Sequence, residues 1–322
     1  MPIEILKGRL SLPVVAAPMF IVSGPELVIA QCKAGIVGSF PALNARPPAL
    51  LDEWLHRIRE ELAAHDRAHP EAPSAPFAVN QIVHRSNARL EQDLEVCVAH
   101  EVPLVITSLG ARPEVNEAVH AYGGTVLHDV TNALHARKAI EKGADGLIAV
   151  AAGAGGHAGT LSPFALVQEI RSWFDGPLAL SGAISGGRSI LAAQAMGADL
   201  AYVGSAFIAA EEANAAEDYK RMVVESAAED IVYTDLFTGI PGNYLRGSIT
   251  RAGLDPDALG GEARPQPGLE GAKAWKDVWG AGQGIGGTAA SQPAARIIEG
   301  WAAEYHAARA ALAAPQTLLR AR

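Results

Sequence analysis

A histidine set among four glycines is the residue of this sequence best suited to acid–base chemistry. Residues 153–159 read GAGGHAG and follow an apolar run. The imidazole of His157 titrates near neutral pH and suits proton abstraction. Glycines allow a flat or anionic ligand to approach the backbone closely, so we expect Gly155 and Gly156 beside a ligand. The alternative is a loop histidine that only caps a helix.

Two further glycine turns have the composition of an anion site. Residues 181–188 read SGAISGGR and residues 204–207 read GSAF, each between an apolar run and a helix-like segment. Backbone N–H groups at a helix start attract phosphate. The alternative is tight turns in a protein rich in alanine and glycine. The residues expected near the anion are Ser181, Gly182, Gly186, Gly187, Gly204 and Ser205.

Three neutral or acidic strand ends could complete a ligand site. Small residues, a methionine and amides could line a planar ring and bond its heteroatoms, whereas core packing and turn formation are the alternatives. Asp129 follows His128 at the end of a predicted strand. The pair could orient a ligand, and the alternative is a solvated pair on the rim. These candidates are Ala17, Pro18, Met19, Asn80, Gln81 and Asp129.

These candidates all follow short apolar runs, which we interpret as buried parallel strands. The runs are continuous rather than alternating, which is typical of strands covered on both faces. Eight strand–helix units fit within about the first 210 residues and predict a (β/α)8 TIM barrel, an α/β fold. A doubly wound open sheet is the alternative, but its glycine fingerprint would follow the first strand. The predicted strands are residues 14–18, 36–40, 77–83, 104–108, 125–130, 146–151, 178–181 and 200–203.

The pattern of alternating strands and helices ends near residue 210. We predict a barrel over residues 1–212, an inserted cap or substrate subdomain over residues 213–288, and a terminal segment over residues 289–322 whose helix returns to the barrel. A loop-rich insertion of this length usually carries function.

Composition narrows the function classes. The 322 residues are 49% hydrophobic with a net charge of −9, which argues against nucleic acid as a partner. Two cysteines suit a reducing cytoplasm rather than a disulfide scaffold, and they lack the spacing of a metal site. No uncharged apolar run reaches about 18 residues, so we expect no membrane span. An Ala-rich terminal helix could pair two chains as a homodimer.

The combined motifs resemble the nitronate monooxygenase family, formerly called 2-nitropropane dioxygenase. The resemblance rests on APM at 17–19, VNQ at 79–81, GAGGHAG at 153–159, SGAISGGR at 181–188 and GSAFI at 204–208. It runs over most of the chain, including FTGIP at 237–241 and AGQG at 281–284. Flavin-type enoyl-acyl carrier protein reductases and related NADH:quinone reductases share part of this pattern.

The resemblance implies a cofactor and a reaction. FMN would lie across the barrel mouth, with its phosphate on Gly186, Gly187, Gly204 and Ser205. The segment 17–19 and residues 80–81 would lie near its ring. His157 would act as base on a neutral nitroalkane, and the nitronate would be oxidised with O2 to a carbonyl compound and nitrite.

Two positions depart from the family pattern and keep alternatives open. Asp129 stands where several members carry a lysine, and Ala158 follows the histidine where many carry a cation. The first alternative is an FMN-dependent NAD(P)H reductase of a quinone or an enoyl thioester. The second is a barrel that binds a phosphorylated metabolite without redox chemistry, as a binding protein, an aldolase or an isomerase.

Overall fold

The barrel is closed and consists of eight parallel strands. The computed structural model describes residues 3–259 and 275–314. The strands pair in the order β1-β9-β8-β6-β5-β4-β3-β2, and a parallel bridge between Val15 and Val37 joins the two ends. The predicted (β/α)8 TIM barrel is therefore confirmed. Its strands are β1 Val14–Ala16, β2 Ser39–Pro41, β3 Ala78–Ile82, β4 Leu104–Ser108, β5 Thr125–Val130, β6 Gly146–Val150, β8 Leu178–Ser181 and β9 Leu200–Val203, while β7 Gly156–His157 lies outside the barrel.

A helix follows each barrel strand, mostly where the sequence predicts one. Proline at the first turn begins α1, α4 and α6, where its missing N–H costs no hydrogen bond. Asn132 caps α5 by accepting from the His135 N–H at 2.8 Å. The helices are α1 Pro25–Lys33, α2 Leu50–Ala68, α3 Leu90–Ala99, α4 Pro113–His120, α5 Ala133–Glu141, α6 Pro163–Arg171, α7 Gly187–Met196 and α8 Ser205–Ile208.

The first two strands are shorter than the sequence predicts. β1 ends at Ala16 rather than residue 18, because Pro18 has no N–H to give to the ladder. β2 begins at Ser39 rather than residue 36, and Val37 contributes only the single bridge that closes the barrel.

The barrel interior changes from apolar to polar along the strand direction. Its apolar layer includes Ala78, Ile106, Leu127, Ala179 and Leu200, and Ile3 and Leu6 pack against it. Because side chains alternate along a strand, the next inward position lies two residues further on. Those positions are Asn80, Ser108, Asp129, Ser181 and Tyr202, all at the carboxyl ends of the strands.

A small antiparallel sheet lies beyond the barrel. β10 pairs with β11, and β11 pairs with the loop strand β7. Neither β10 nor β11 was predicted from the sequence, because each has only four residues. The remaining helices and strands are β10 Ile231–Thr234, β11 Gly242–Leu245, α9 Glu217–Glu225, α10 Arg246–Arg251, α11 Ala294–Ala313 and the 3-10 helices Glu4–Leu6, Ala42–Asn44, Ala228–Asp230 and Gln283–Gly287.

The division into barrel, cap and terminal helix stays a prediction, and part of the cap region lies outside the described residues. The terminal helix α11 packs against α7 and α1 of the barrel. Within the described part of the chain, every helix is too short or too polar to span a bilayer.

Candidate active site

A small pocket opens at the carboxyl end of the barrel, between the loops that follow β6, β8 and β9. Its lining is backbone, small side chains and two serine hydroxyls, together with Tyr202, and no residue of the lining carries a formal charge. The structure brings five of the sequence-predicted residues to it, namely Gly155, Ser181, Gly182, Gly204 and Ser205.

A segment distant in sequence completes this pocket. Gly282 and Gly284, from the stretch before α11, also line it. The Gly282 N–H donates to Ser205 Oγ at 2.8 Å, and the Gln283 N–H donates to the Gly153 carbonyl at 2.9 Å. The sequence analysis recognised AGQG at 281–284 but did not place it at the site.

Two glycines are required where these loops meet. Gly182 has a φ of +144°, and a Cβ there would lie 2.7 Å from the Ala152 carbonyl oxygen. A Cβ on Gly282 would lie 2.5 Å from the Gly153 carbonyl oxygen. Both distances are shorter than a normal carbon–oxygen contact, so any side chain would force the loops apart.

The turn after β1 lies at the same end of the barrel. A Cβ built on Gly204 would be 3.3 Å from Ala17 Cβ and 3.4 Å from Met19 Sδ. The Asn44 side-chain amide donates to the Met19 carbonyl at 3.0 Å and holds the turn in place. The predicted segment that contains Pro18 therefore flanks the pocket without lining it.

Gly186 and Gly187 are not brought to the pocket. The Gly187 N–H donates to Glu304 Oε2 at 2.7 Å, and a Cβ on Gly186 would lie 2.5 Å from the same oxygen. Glu304 comes from α11 and also pairs with Arg188 at 3.3 Å. This corrects the sequence interpretation: a carboxylate 117 residues away caps α7, in the position predicted for a phosphate.

Asn80 and Asp129 belong to one hydrogen-bonded chain in the barrel mouth. The Asn80 amide donates to Ser108 Oγ at 2.8 Å, and Ser108 donates to Asp129 Oδ2 at 2.6 Å. Burial raises the pKa of Asp129 to about 6, although hydrogen bonds from Ser108 and the Leu109 N–H oppose that rise. Asp129 is therefore an acid that titrates close to neutral pH. Ser108 links Asn80 to Asp129 in this hydrogen-bond network and was not predicted from the sequence.

Gln81 faces away from the mouth. Its amide donates to Cys97 Sγ at 3.2 Å, between β3 and α3. The prediction that both amides of this strand end reach a ligand is wrong, because neighbouring strand residues point to opposite faces. For the same reason the His128 side chain points toward the helices outside the barrel, where its Nδ1 lies 2.6 Å from Thr107 Oγ1.

His157 lies two residues beyond the part of the loop that lines the pocket. It forms β7 with Gly156 and pairs with Gly242 of β11. Its Nε2 lies 3.0 Å from Thr238 Oγ1, and its ring packs edge-on to Trp275, whose indole also covers Gly156. Burial lowers the pKa of His157, so the neutral imidazole predominates at pH 7. A neutral imidazole is the form that can accept a proton.

The comparisons with known proteins agree with this geometry. Residues 4–256 match the family model described as Nitronate monooxygenase. A nitronate monooxygenase of Paraburkholderia phytofirmans is 29% identical over 292 residues, 76% of this chain and 76% of that protein.

Two solved structures extend the likeness. The nitroalkane oxidase of Streptomyces ansochromogenes has a TM-score of 0.75 and 26% identity, over 96% of this chain and 100% of that chain. FabK of Thermotoga maritima has a TM-score of 0.76 and 24% identity, over 96% of each chain, and supports the fold alone. Because the family model covers most of the sequence, the chain belongs to the nitronate monooxygenase family and is a flavin-dependent oxidoreductase of that type.

Proposed function

We propose that this chain binds FMN and oxidises alkyl nitronates with O2 to a carbonyl compound and nitrite. Membership of the family supports flavin-dependent oxidation of nitronates. The observation that supports the finer proposal concerns one loop: residues 153–155 line the uncharged pocket, and His157 follows two residues later.

The pocket is suited to the phosphate of FMN. Ser205 Oγ accepts a hydrogen bond from Gly282, so its own O–H is free to donate to a phosphate oxygen. Backbone N–H groups of Gly182 and Gly204 supply further donors of the kind that hold phosphates. The pocket lining has no carboxylate to repel the anion. We therefore place the phosphate here rather than at Gly186 and Gly187.

The ring of FMN would extend from this pocket over the polar layer of the barrel mouth. Asn80, Asp129 and Tyr202 point into that region from β3, β5 and β9, and the turn at 17–19 borders it. When bound, FMN supplies the electron chemistry that no side chain can provide. The protein's part is to orient the ring and to exclude water above it.

His157 supplies the proton chemistry for neutral substrates. The C–H bond next to the nitro group breaks, the proton passes to the imidazole, and the electron pair becomes the C=N bond of the nitronate. A substrate that arrives already as the nitronate needs no such transfer.

Replacement of His157 separates these two substrates. In His157→Asn we expect FMN to stay bound, turnover of a neutral nitroalkane to fall about 100-fold or more, and turnover of its nitronate to fall far less. The measurement is kcat/KM for both forms of one substrate, with bound flavin quantified by absorbance.

The matched control is His56→Asn, which changes an exposed histidine on α2 and should alter neither value. An equal loss with nitroalkane and nitronate would contradict the role as base and would indicate that His157 binds charge. Rapid oxidation of NADH or NADPH without nitronate turnover would favour the reductase alternative.

A further inference from the structure

The hydroxyl of Thr238 has three hydrogen-bond contacts but only one proton to donate. It lies in the turn between β10 and β11, 3.0 Å from His157 Nε2 and 3.0 Å from the Ile240 carbonyl oxygen. The Ile240 N–H also points to it at 3.3 Å. A threonine hydroxyl has one proton to donate and can accept two hydrogen bonds.

The number of available protons decides which group donates in each of these contacts. The Ile240 carbonyl oxygen can only accept, so the short contact to it requires the single proton of Thr238. If that proton turned to His157 instead, two oxygen lone pairs would face each other at 3.0 Å. The hydroxyl must then accept from the histidine, which means that Nε2 carries the hydrogen. In a neutral imidazole the lone pair is left on Nδ1.

We propose that Thr238 is a positioning residue that holds His157 as the Nε2–H tautomer and leaves Nδ1 to receive the substrate proton. The proposal rests on the proposed role of His157 as a base. In that step the substrate C–H bond breaks, its electron pair forms the nitronate C=N bond, and the proton binds Nδ1. The resulting imidazolium still donates from Nε2 to Thr238.

The surroundings of the ring agree with this assignment. Pairing of His157 with Gly242 fixes its backbone, and the edge contact with Trp275, 5.5 Å between centroids, limits rotation of the ring. The Tyr233 hydroxyl donates to the Ala158 carbonyl at 3.1 Å and ties the same loop to β10. Within residues 3–259 and 275–314, Nδ1 of His157 has no hydrogen-bond partner.

The direct test is ¹⁵N NMR of the histidine side chains in the FMN-bound protein at pH 8. His157→Asn identifies the His157 signals among the ten histidines. We expect the wild type to show protonated Nε2 and unprotonated Nδ1. Thr238→Val keeps the side-chain shape and should yield a mixture of tautomers, whereas Thr238→Ser should restore the wild-type signals. Thr125→Val, at the start of β5 in the barrel, is the matched control and should change nothing.

Kinetics of the same variants test the link to proton transfer. Thr238→Val should lower kcat for a neutral nitroalkane about tenfold, leave nitronate turnover within about twofold and leave FMN affinity unchanged, with recovery in Thr238→Ser. A wild-type His157 protonated at Nδ1, or a tautomer that is unchanged in Thr238→Val, would overturn the proposal. Because NMR requires no turnover, a protein inactive on nitroalkanes would contradict the proposed function without deciding the tautomer.

Discussion

At the scale of single residues, burial disfavours the charged form of both the acid in the barrel mouth and the histidine of β7. Burial raises the pKa of Asp129 to about 6 and lowers that of His157. Both shifts favour the neutral forms, as expected where burial removes water from a charged group. Ala158, next to the histidine, adds no charge either.

The raised pKa of Asp129 has a consequence for stability. A carboxyl whose pKa is higher in the folded than in the unfolded protein destabilises the fold as pH rises through the interval from 3.8 to about 6. Asp129→Asn should therefore be more stable than wild type at pH 8, by up to about 3 kcal/mol, and no more stable at pH 3.5. Urea denaturation of flavin-free protein at both pH values measures the difference.

A change of surface charge provides the control for this prediction. Glu95→Gln removes one exposed carboxylate from α3 and should leave stability within about 0.5 kcal/mol at either pH. If Asp129→Asn destabilised the protein at pH 8, Asp129 would be held by favourable contacts of its ionised form, and the assigned burial cost would be wrong.

Strand geometry alone decides which side chains at the strand ends point into the barrel mouth. Asn80 and Asp129 were predicted at the mouth, and both point into it. Gln81 was assigned to the same site, but strand parity turns it toward α3. The capping of Gly187 by Glu304 depends on the packing of α11 on α7, a contact that local sequence cannot reveal.

At the scale of elements, the barrel was predictable and the sheet beyond it was not. Parallel strands buried on both faces leave continuous apolar runs, which the sequence displays eight times. β10 and β11 have four residues each, and β11 begins with Gly242 and Asn243, residues that are rare in strands. Pairing of β11 with β7 holds His157, so the missed sheet is the one that positions the proposed base.

We expect residues 281–284, the segment before α11 that completes the pocket, to control FMN binding. Gly282→Ala places a Cβ against the Gly153 carbonyl and the Gly155 amide, at 2.5 and 2.8 Å. The clash should displace the segment from Ser205 and weaken FMN binding about tenfold. Titration of the flavin-free protein with FMN, followed by fluorescence, measures the change.

Gly286→Ala is the matched control, because a Cβ there meets nothing within 4 Å and the residue lies in the 3-10 helix Gln283–Gly287, of which Gly282 is the N-cap. Its FMN affinity should equal that of wild type. Equal affinity in Gly282→Ala would instead place the phosphate away from this pocket.

At the scale of the whole molecule, the carboxyl ends of the barrel strands bring three groups of residues together at one face. The loops after β8 and β9 line a pocket without charged side chains, the strand ends form a polar layer, and the antiparallel sheet holds the histidine. Loops distant in sequence meet there because all eight strands run in the same direction. In the proposed mechanism, the protein supplies positioning and proton transfer while the flavin supplies the redox chemistry.

Anaerobic mixing of the FMN-bound protein with a nitronate, NADH or NADPH, each alone, tests the central claim most directly. We predict that the nitronate bleaches the yellow flavin absorbance within the time of turnover and that neither nicotinamide nucleotide does so. Bleaching by NADH or NADPH with none by the nitronate would contradict the account.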